Sequence, residues 1–252
     1  TSIQGGVEIP VSTAKPTAVW LAAGEVADKQ KKEVNTTISF NYHKLQVRVA
    51  VELVASVVAL PIFEQTIADN IAEAMVKALD KAIISGTGTS QPLGIIKHTN
   101  IPSKQVVPVT LDNFKKYATW PEIFAKMPRS YRSGMVLILN DADWHKYIVG
   151  MTDTNGQPVA RVNYGLDGSI EERFLGREVI AVEEDLLPSI DEASAGNVVA
   201  ILCRLEDYMV NSNMAITFRR YFNEDTDEWI SKATMIADGK LADPNGVVLI
   251  KK

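Results

Sequence analysis

The stretch "ISGTGTSQPLGII", Ile84 to Ile96, comes nearer than any other to the composition of a nucleotide site. Three glycines, Gly86, Gly88 and Gly94, share it with Pro92. A phosphate-cradling loop needs GxxxxGK(S/T), in which the lysine reaches a phosphate and the hydroxyl reaches magnesium. No lysine follows Gly94. A dinucleotide fingerprint needs GxGxxG between a strand and a helix. Here Gly86 and Gly88 follow a helical pattern, and Gln91 stands in the third glycine's place. The stretch therefore reads as a helix stop and a turn, where positive φ costs glycine little.

The other chemistry-bearing residues are scattered. His43, His98 and His145 lie far apart, and none has metal-ligand spacing. His43 falls in a predicted strand and His145 beside Trp144 on a predicted helix, so both read as solvated or core-edge histidines. Cys203 is the only cysteine; it sits in an apolar strand and behaves there as a small hydrophobe. No serine lies in a GxSxG elbow. "NEDTDE", Asn223 to Glu228, lacks the glycine and distal glutamate of a calcium loop and reads as a hairpin tip. No catalytic constellation, cofactor or metal is expected. An enzyme with an unrecognised site would instead need a pocket with a close cluster of perturbed titratable groups.

The elements around these residues describe an ordinary globular chain. It has 252 residues, 46% apolar and 23% charged. The net charge of −5 argues against a dedicated nucleic-acid binder, which carries a basic face. No apolar run reaches the ~20 residues of a membrane-spanning helix. One cysteine excludes an intrachain disulfide and leans mildly towards the cytoplasm. The chain opens "TSIQGG", without an initiator Met or a signal-peptide pattern, so a processed or trimmed product is expected.

Residues 6–51 are rich in β-branched and aromatic residues, in "GVEIPVS", "TAVWLAA" and "TTISFNYHKLQVRVAV". Between the last two lies the charged "GEVADKQKKEV". Two extended arms with a charged tip cannot form a core, because an isolated ribbon is marginal in water. The clearest helix is 62–85. Phe63, Ile67, Ile71, Met75, Leu79 and Ile83 recur every four residues, with Val76 and Ala72 beside them. Pro61 suits its first turn. About 24 residues make a rod of ~36 Å. "LDNFKKYATWPEIFAKM" reads as a helix broken or kinked at Pro121. "GMVLILN" reads as a buried strand, followed by an Asn- or Asp-capped helix in "DADWHKYIVGM". Asn155-Gly156 and Asp167-Gly168 are hairpin signals. "REVIAVEEDLLP", "GNVVAILCRLEDYMV", "AITFRRY", "EWISKATMIADGKLA" and "GVVLIKK" read as further strands. The class is α+β.

These pieces, in this order, resemble the major capsid proteins of tailed bacteriophages, the family whose fold is named after phage Hong Kong 97. "ALDKAIISGTGTSQPLGII" is similar to the family's spine-helix stop, a Gly-x-Gly-Thr turn followed by a Pro-Leu-Gly-Ile strand. "ILNDADWHKYIVGMTDTNGQPVA" resembles its strand, Asn cap, Trp-containing helix and hairpin. "AVWLAAGEVADKQ" with "TTISF" resembles its extended loop, and "GVVLIKK" its last strand. The resemblance covers residues 8 to 252. It implies an extended loop at 6–48 and a peripheral domain at 49–97 and 209–239, with the spine helix at 62–85. It implies an axial domain at 98–208 and 240–252. Gly86, Gly88, Pro92 and Gly94 would turn the chain from one domain to the other. Trp20, Lys29, Lys31 and Lys32 of the loop are the implied subunit contacts.

The implied task is to self-assemble into pentamers and hexamers of an icosahedral shell around double-stranded DNA, without sequence-specific binding and without a membrane. The implied place is the virion of a phage or prophage, assembled in the bacterial host cytoplasm. Scaffolding, protease, portal or decoration proteins would be partners. An encapsulin-like nanocompartment shell is the alternative on the same fold; it binds cargo through an N-terminal helix, which is not seen ahead of "GGVEIPVS". The family's N-terminal arm is likewise not seen there, so either the arm has been trimmed or the sequence is partial, and the short chain is expected to have difficulty closing shells.

Some members of the family weld their shells by an isopeptide bond, in which a loop lysine attacks an asparagine of another subunit and a glutamate acts as base. Lys29, Lys31 or Lys32 could supply the amine. The asparagine would fall in "EWISKATMIADGKLA", which has none. Lys232 stands at its place and Gly239 near that of the glutamate. The three tip lysines then read as a solvated charge run. Assembled particles boiled in denaturant are expected to run as single chains of 27.7 kDa. A ladder of covalent multimers without added crosslinker would overturn both the expectation and this alignment.

Overall fold

The computed structural model describes residues 8–11, 36–52, 61–164 and 170–252. The expected strand 17–23, the tip at 24–33 with Lys29, Lys31 and Lys32, Trp20 and the Asp167-Gly168 turn lie outside the described residues.

β1 (Glu8–Val11) and β2 (Thr36–Ser39) form a two-stranded antiparallel ribbon. After it the chain bends at 40–42 and enters β3 (His43–Glu52). The single strand expected from Thr36 to Val51 is therefore two. The corner is fixed where Phe40 is buried and the Asn41 amide donates to the Asp238 carboxylate at 2.7 Å. Residues 43–48, which the sequence groups with the extended loop, continue a sheet.

Helix α1 spans Pro61–Ser85. Short helices α2 (Leu111–Phe114) and α3 (Thr119–Lys126) follow β4 (Val106–Pro108). The predicted single helix breaks before Pro121, not at it. Pro121 has no N–H to offer the Tyr117 carbonyl, which accepts from Trp120 N at 3.1 Å instead. The helix restarts with proline in its first turn, where the missing donor is tolerated. β5 (Met135–Asn140) leads into α4 (Asp141–Asp143), which runs on as a π-helical turn over Trp144–Ile148. The Asn140 side chain caps it by accepting from Ala142 N at 2.8 Å. The remaining strands are β6 (Ala160–Tyr164), β7 (Ile170–Phe174), β8 (Arg177–Val182), β9 (Val198–Arg204), β10 (Tyr208–Asn223), β11 (Glu228–Leu241) and β12 (Val247–Lys251).

Seven strands form one mixed sheet in the order β4-β12-β9-β5-β8-β7-β6. Its centre reads as continuous apolar runs because both faces are covered. Along β5, Met135, Leu137 and Leu139 enter a core with Phe114, Trp120, Ile123 and Trp144. Val136 and Ile138 point the other way, into a core with Ile84, Ile95 and Leu187. The period of two divides one strand between two cores.

β10, β11 and β3 form a second, three-stranded antiparallel sheet in that order. "YMV" and "AITFRRY" belong to one 16-residue strand, β10, with register shifts between Ser212 and Met214 and between Met214 and Thr217. Ile71 and Met75 of α1 pack on this sheet against Ala233, Met235 and Ala237, with Leu45, Val47, Val49, Ile67 and Leu79 at the margin. The two alanines of β11 leave room for a helix to lie close.

A spacing of four advances 400° around a helix of 100° per residue, so the apolar stripe winds by about 40° at each step. Its middle therefore faces the three-stranded sheet, while Ile83, at its end, packs against the second core of the large sheet, in which the neighbouring Ile84 is buried. Val76, which the sequence sets beside the stripe, lies about 100° around the helix from buried Met75 and is 52% exposed.

Ile71 is 1% exposed. Ile71→Asp buries an unpaired charge and is expected to cost several kcal/mol, the order known for such burial. Val76→Asp, on the same helix, is expected to stay within about 0.5 kcal/mol. Denaturant melts of the two variants check this; equal midpoints would show that α1 does not use this face.

Candidate functional site at the helix-stop junction

The last bond of α1 is Gly86 N to Ala82 O, 2.9 Å. The chain then doubles back: Gly88 N donates to Pro92 O at 3.2 Å and Gly94 N to Gly86 O at 2.9 Å. Thr87 and Leu93 pair as an isolated bridge across this loop. The glycines differ in what they supply. Only Gly88 has positive φ, 77°. At Gly86 a Cβ would stand 2.5 Å from Ala82 O and closer still to Pro92 O. At Gly94 it would stand 2.7 Å from both Ile84 O and Ser85 N. Gly86 and Gly94 are thus sites of close backbone approach, where the sequence suggested conformational freedom.

The turn lands on the three-stranded sheet. Leu93 N donates to Gly239 O at 3.0 Å, and the Tyr208 hydroxyl donates to Leu93 O at 3.0 Å. Tyr208 fits because Gly239 has no side chain; a Cβ there would meet its hydroxyl at 2.7 Å. Burial, aided by the nearby Asp238 charge, pushes the Tyr208 phenol up. Asp238 is fully buried; it accepts from Asn41 N and from Gly239 N, and His43 Nε2 lies 3.5 Å from it. The Lys240 ammonium donates to Ser39 O. One short segment of β11 therefore holds both the helix stop and the base of the loop. Tyr208 and Asp238 escape the sequence reading, which names Gly239 only for standing near the place of a crosslinking glutamate. A glycine inside an otherwise good strand is the available signal, since it marks close approach of another backbone.

A cavity of about 300 Å³ opens beside the junction, between the end of α1 and β3 and β11. Leu45, Leu79, Ala82 and Met235 give it apolar walls, with His43 and Lys81 also in its lining. No serine–histidine or cysteine–histidine pair forms among the described hydrogen bonds. Burial pushes the Cys203 thiol up to about 12, so it stays protonated and inert. Burial also raises Asp143, against the hydrogen bonds it accepts from Ser189 Oγ (2.7 Å) and Ile190 N (2.8 Å); its place is structural. His145 contacts exposed Asp141, one turn away, and His98 is lowered by partial burial. Among the described residues no group of three His, Cys, Asp or Glu is placed to hold a metal. No described helix is long and apolar enough to cross a membrane.

A more distinctive surface lies further along β10, away from the junction at Tyr208. β10 is an edge strand of the small sheet, and Ile216, Phe218 and Tyr221 on it are exposed at 37%, 49% and 39%. The rings of Phe222 and Trp229 lie 5.3 Å apart, tilted at 60° to each other, with Arg220 over the indole at 4.7 Å.

Residues 1–252 match the family model described as the phage capsid family. No curated protein matches the sequence. Among solved structures, the capsid of a native GTA particle superposes with a TM-score of 0.78 at 15% identity, covering 100% of this chain and 86% of that one. A chain of Mycobacterium phage Ogopogo gives 0.66 at 18%, covering 100% and 88%. The holo-SrpI encapsulin complex of Synechococcus elongatus PCC 7942 gives 0.62 at 13%, covering 86% and 76%. These likenesses show the fold, which is of the Hong Kong 97 capsid type.

The junction makes an ordered forecast for alanine substitutions. Gly94→Ala and Gly86→Ala force backbone apart and are expected to cost at least the 1–3 kcal/mol of ordinary overpacking, about 2 kcal/mol or more. Gly88→Ala is expected to cost about 1–2 kcal/mol, the strain of a left-handed residue. Equilibrium melts give the order; a Gly94→Ala protein as stable as the parent would show that the turn can open without loss.

Proposed function

The chain belongs to the phage capsid family and is a structural capsid protein, and from that premise we propose that copies of it associate into pentamers and hexamers of an icosahedral shell enclosing double-stranded DNA. The observation that carries this is the incomplete surface of the small sheet. A 16-residue edge strand with exposed Ile216 and Phe218 is a liability in a solitary protein and a contact in an assembly. The solved structures of the same fold include capsids of GTA particles.

In this reading α1 and the three-stranded sheet, apart from the 43–48 part of β3 that continues from the loop, belong to the peripheral domain, 49–97 and 209–239. The seven-stranded sheet belongs to the axial domain, 98–208 and 240–252. The turn at Gly86, Gly88, Pro92 and Gly94 carries the chain between them. The extended loop, 6–48, reaches a neighbouring subunit through Trp20, Lys29, Lys31 and Lys32. Assembly takes place in the bacterial cytoplasm with scaffolding, protease, portal or decoration proteins as helpers. A cargo-filled compartment is the weaker reading, because the encapsulin structure is matched over less of the chain than the phage ones.

Sedimentation and negative-stain microscopy of the full-length protein across salt and crowding conditions are expected to show capsomers or closed shells. A strictly monomeric profile throughout counts against the proposal. Nuclease-protected duplex DNA in particles from infected or induced cells supports the phage reading; protein cargo without DNA supports the compartment.

A further inference from the structure

The face of the small sheet turned away from α1 carries three cations in one row. Arg219 of β10 is directly opposite Lys232 of β11, and Lys232 is directly opposite Arg48 of β3. Residues so paired have Cβ atoms about 4.5–5.5 Å apart, and like charges there destabilise a sheet. Arg48 and Arg219 are exposed, and Lys232 is half-buried between them. The Arg48 guanidinium crosses β11 to donate to the Tyr221 hydroxyl at 2.8 Å, a neutral partner. None of the three is in an ion pair with another described residue. Glu228, on the same face, is four residues from Lys232, roughly 13 Å along a strand, and accepts from Thr226. Asp238, towards the other end, is buried under its amide donors. Glu52, opposite Glu228, is likewise four residues along its strand from Arg48, so the acids of this face stand at one end of the sheet and no described ion pair reaches the row.

The same chain carries the opposite imbalance between β8 and β9. Glu183, Glu184, Asp185 and Glu192 are all exposed there. The Glu184 carboxyl is raised because it is hydrogen-bonded to that of Glu192, two like groups pressed together in solvent. Only Glu183 among them has a cation, Lys77 at 3.4 Å. A chain with net charge −5 repels its own copies at long range. A second copy can bring the two patches together, and a contact between different patches repeats around a ring.

Resting on the shell-forming reading, we propose that the Arg48–Lys232–Arg219 row docks the Glu184/Glu192 carboxylate cluster of a second copy of this chain. The contact is exposed, so it sets orientation and assembly rate more than stability, and added salt weakens it.

Assembly is followed by light scattering for the parent, for Arg219→Glu with Lys232→Glu, for the neutral pair Arg219→Gln with Lys232→Gln, and for the first pair combined with Glu184→Lys and Glu192→Lys. Melts should show both two-site variants folded: the glutamine pair removes the repulsion outright, and the charge-reversed pair keeps like charges opposite at 219 and 232 but gives Arg48 an opposite charge at 232. The charge-reversed pair is expected to need at least about tenfold more protein to assemble, and the four-site variant to recover most of that loss. The glutamine pair should assemble weakly and with little salt dependence. Parent-like assembly of either two-site variant, or no recovery in the four-site variant, overturns the proposal. Normal shells that fail to retain DNA would also overturn it, and would assign the row to phosphates. A parent protein that never assembles removes the shell reading, and this proposal with it.

Discussion

Two backbone segments touch where a side chain would have to be. At Gly86 and Gly94 the turn after α1 lies against the helix's own last carbonyls, closer than any Cβ permits. That approach leaves the exit of a 25-residue helix little room to shift. It also sets Leu93 opposite Gly239, so the turn becomes an addition to the edge of β11. Because Ile84 and Ile95 flank the turn, both enter the second core of the large sheet. The helix middle meanwhile rests on the small sheet through Ile71 and Met75. A looser turn would free the helix from one sheet or the other. The joint between the sheets is thus a matter of steric fit first and hydrogen bonds second.

What the sequence disclosed follows from what local pattern can encode. The helix at 62–85, the buried runs of β5, β9 and β12 and the order of the family's signature pieces are properties of neighbouring residues, and pattern reading finds them. The long strand β10 was read as two pieces because the register shifts around Met214 interrupt its alternation, and bulges are set by the partner strand. Val76 reads as flanking the apolar stripe, yet one residue beyond Met75 is about 100° further around the helix, and there it is exposed. The β7–β8 hairpin turns through Leu175 at φ 50° and Gly176 at φ 75°, a primed turn that a leucine disguises. The junction glycines were noticed for their type, but the atoms that demand them, Ala82 O, Pro92 O and Ile84 O, become neighbours only after folding. Gly239 and Tyr208 are the sharper case, since 31 positions separate residues whose contact neither one alone suggests.

The segment Asp238–Lys240 connects the junction to the base of the extended loop. The Asp238 carboxylate takes the Asn41 amide, and Lys240 takes the Ser39 carbonyl, so the corner between β2 and β3 is held by side chains of the strand that also receives the helix stop. Any load on β2 would reach β3 along the chain and β11 through these two side-chain bonds. From there it can pass by way of Gly239 to the turn and the end of α1, all through backbone bonds that cannot rearrange side chain by side chain.

The buried polar groups show the same economy. Asn140 donates to the Leu187 carbonyl and caps α4, Asp143 gathers Ser189 and Ile190, and Asp207 pairs with Arg204 at 2.9 Å while its carbonyl accepts from Ala242. Each sits where the chain leaves one strand or helix for the next. A buried carboxylate that serves catalysis needs an open side towards a substrate, whereas Asp143 and Asp238 spend their oxygens on backbone amides and a hydroxyl of their own chain. Polar groups held inward in this way leave the outer faces to do the binding, and there the exposed edge of β10 and the unmatched cations beside it are features that a single copy leaves unsatisfied.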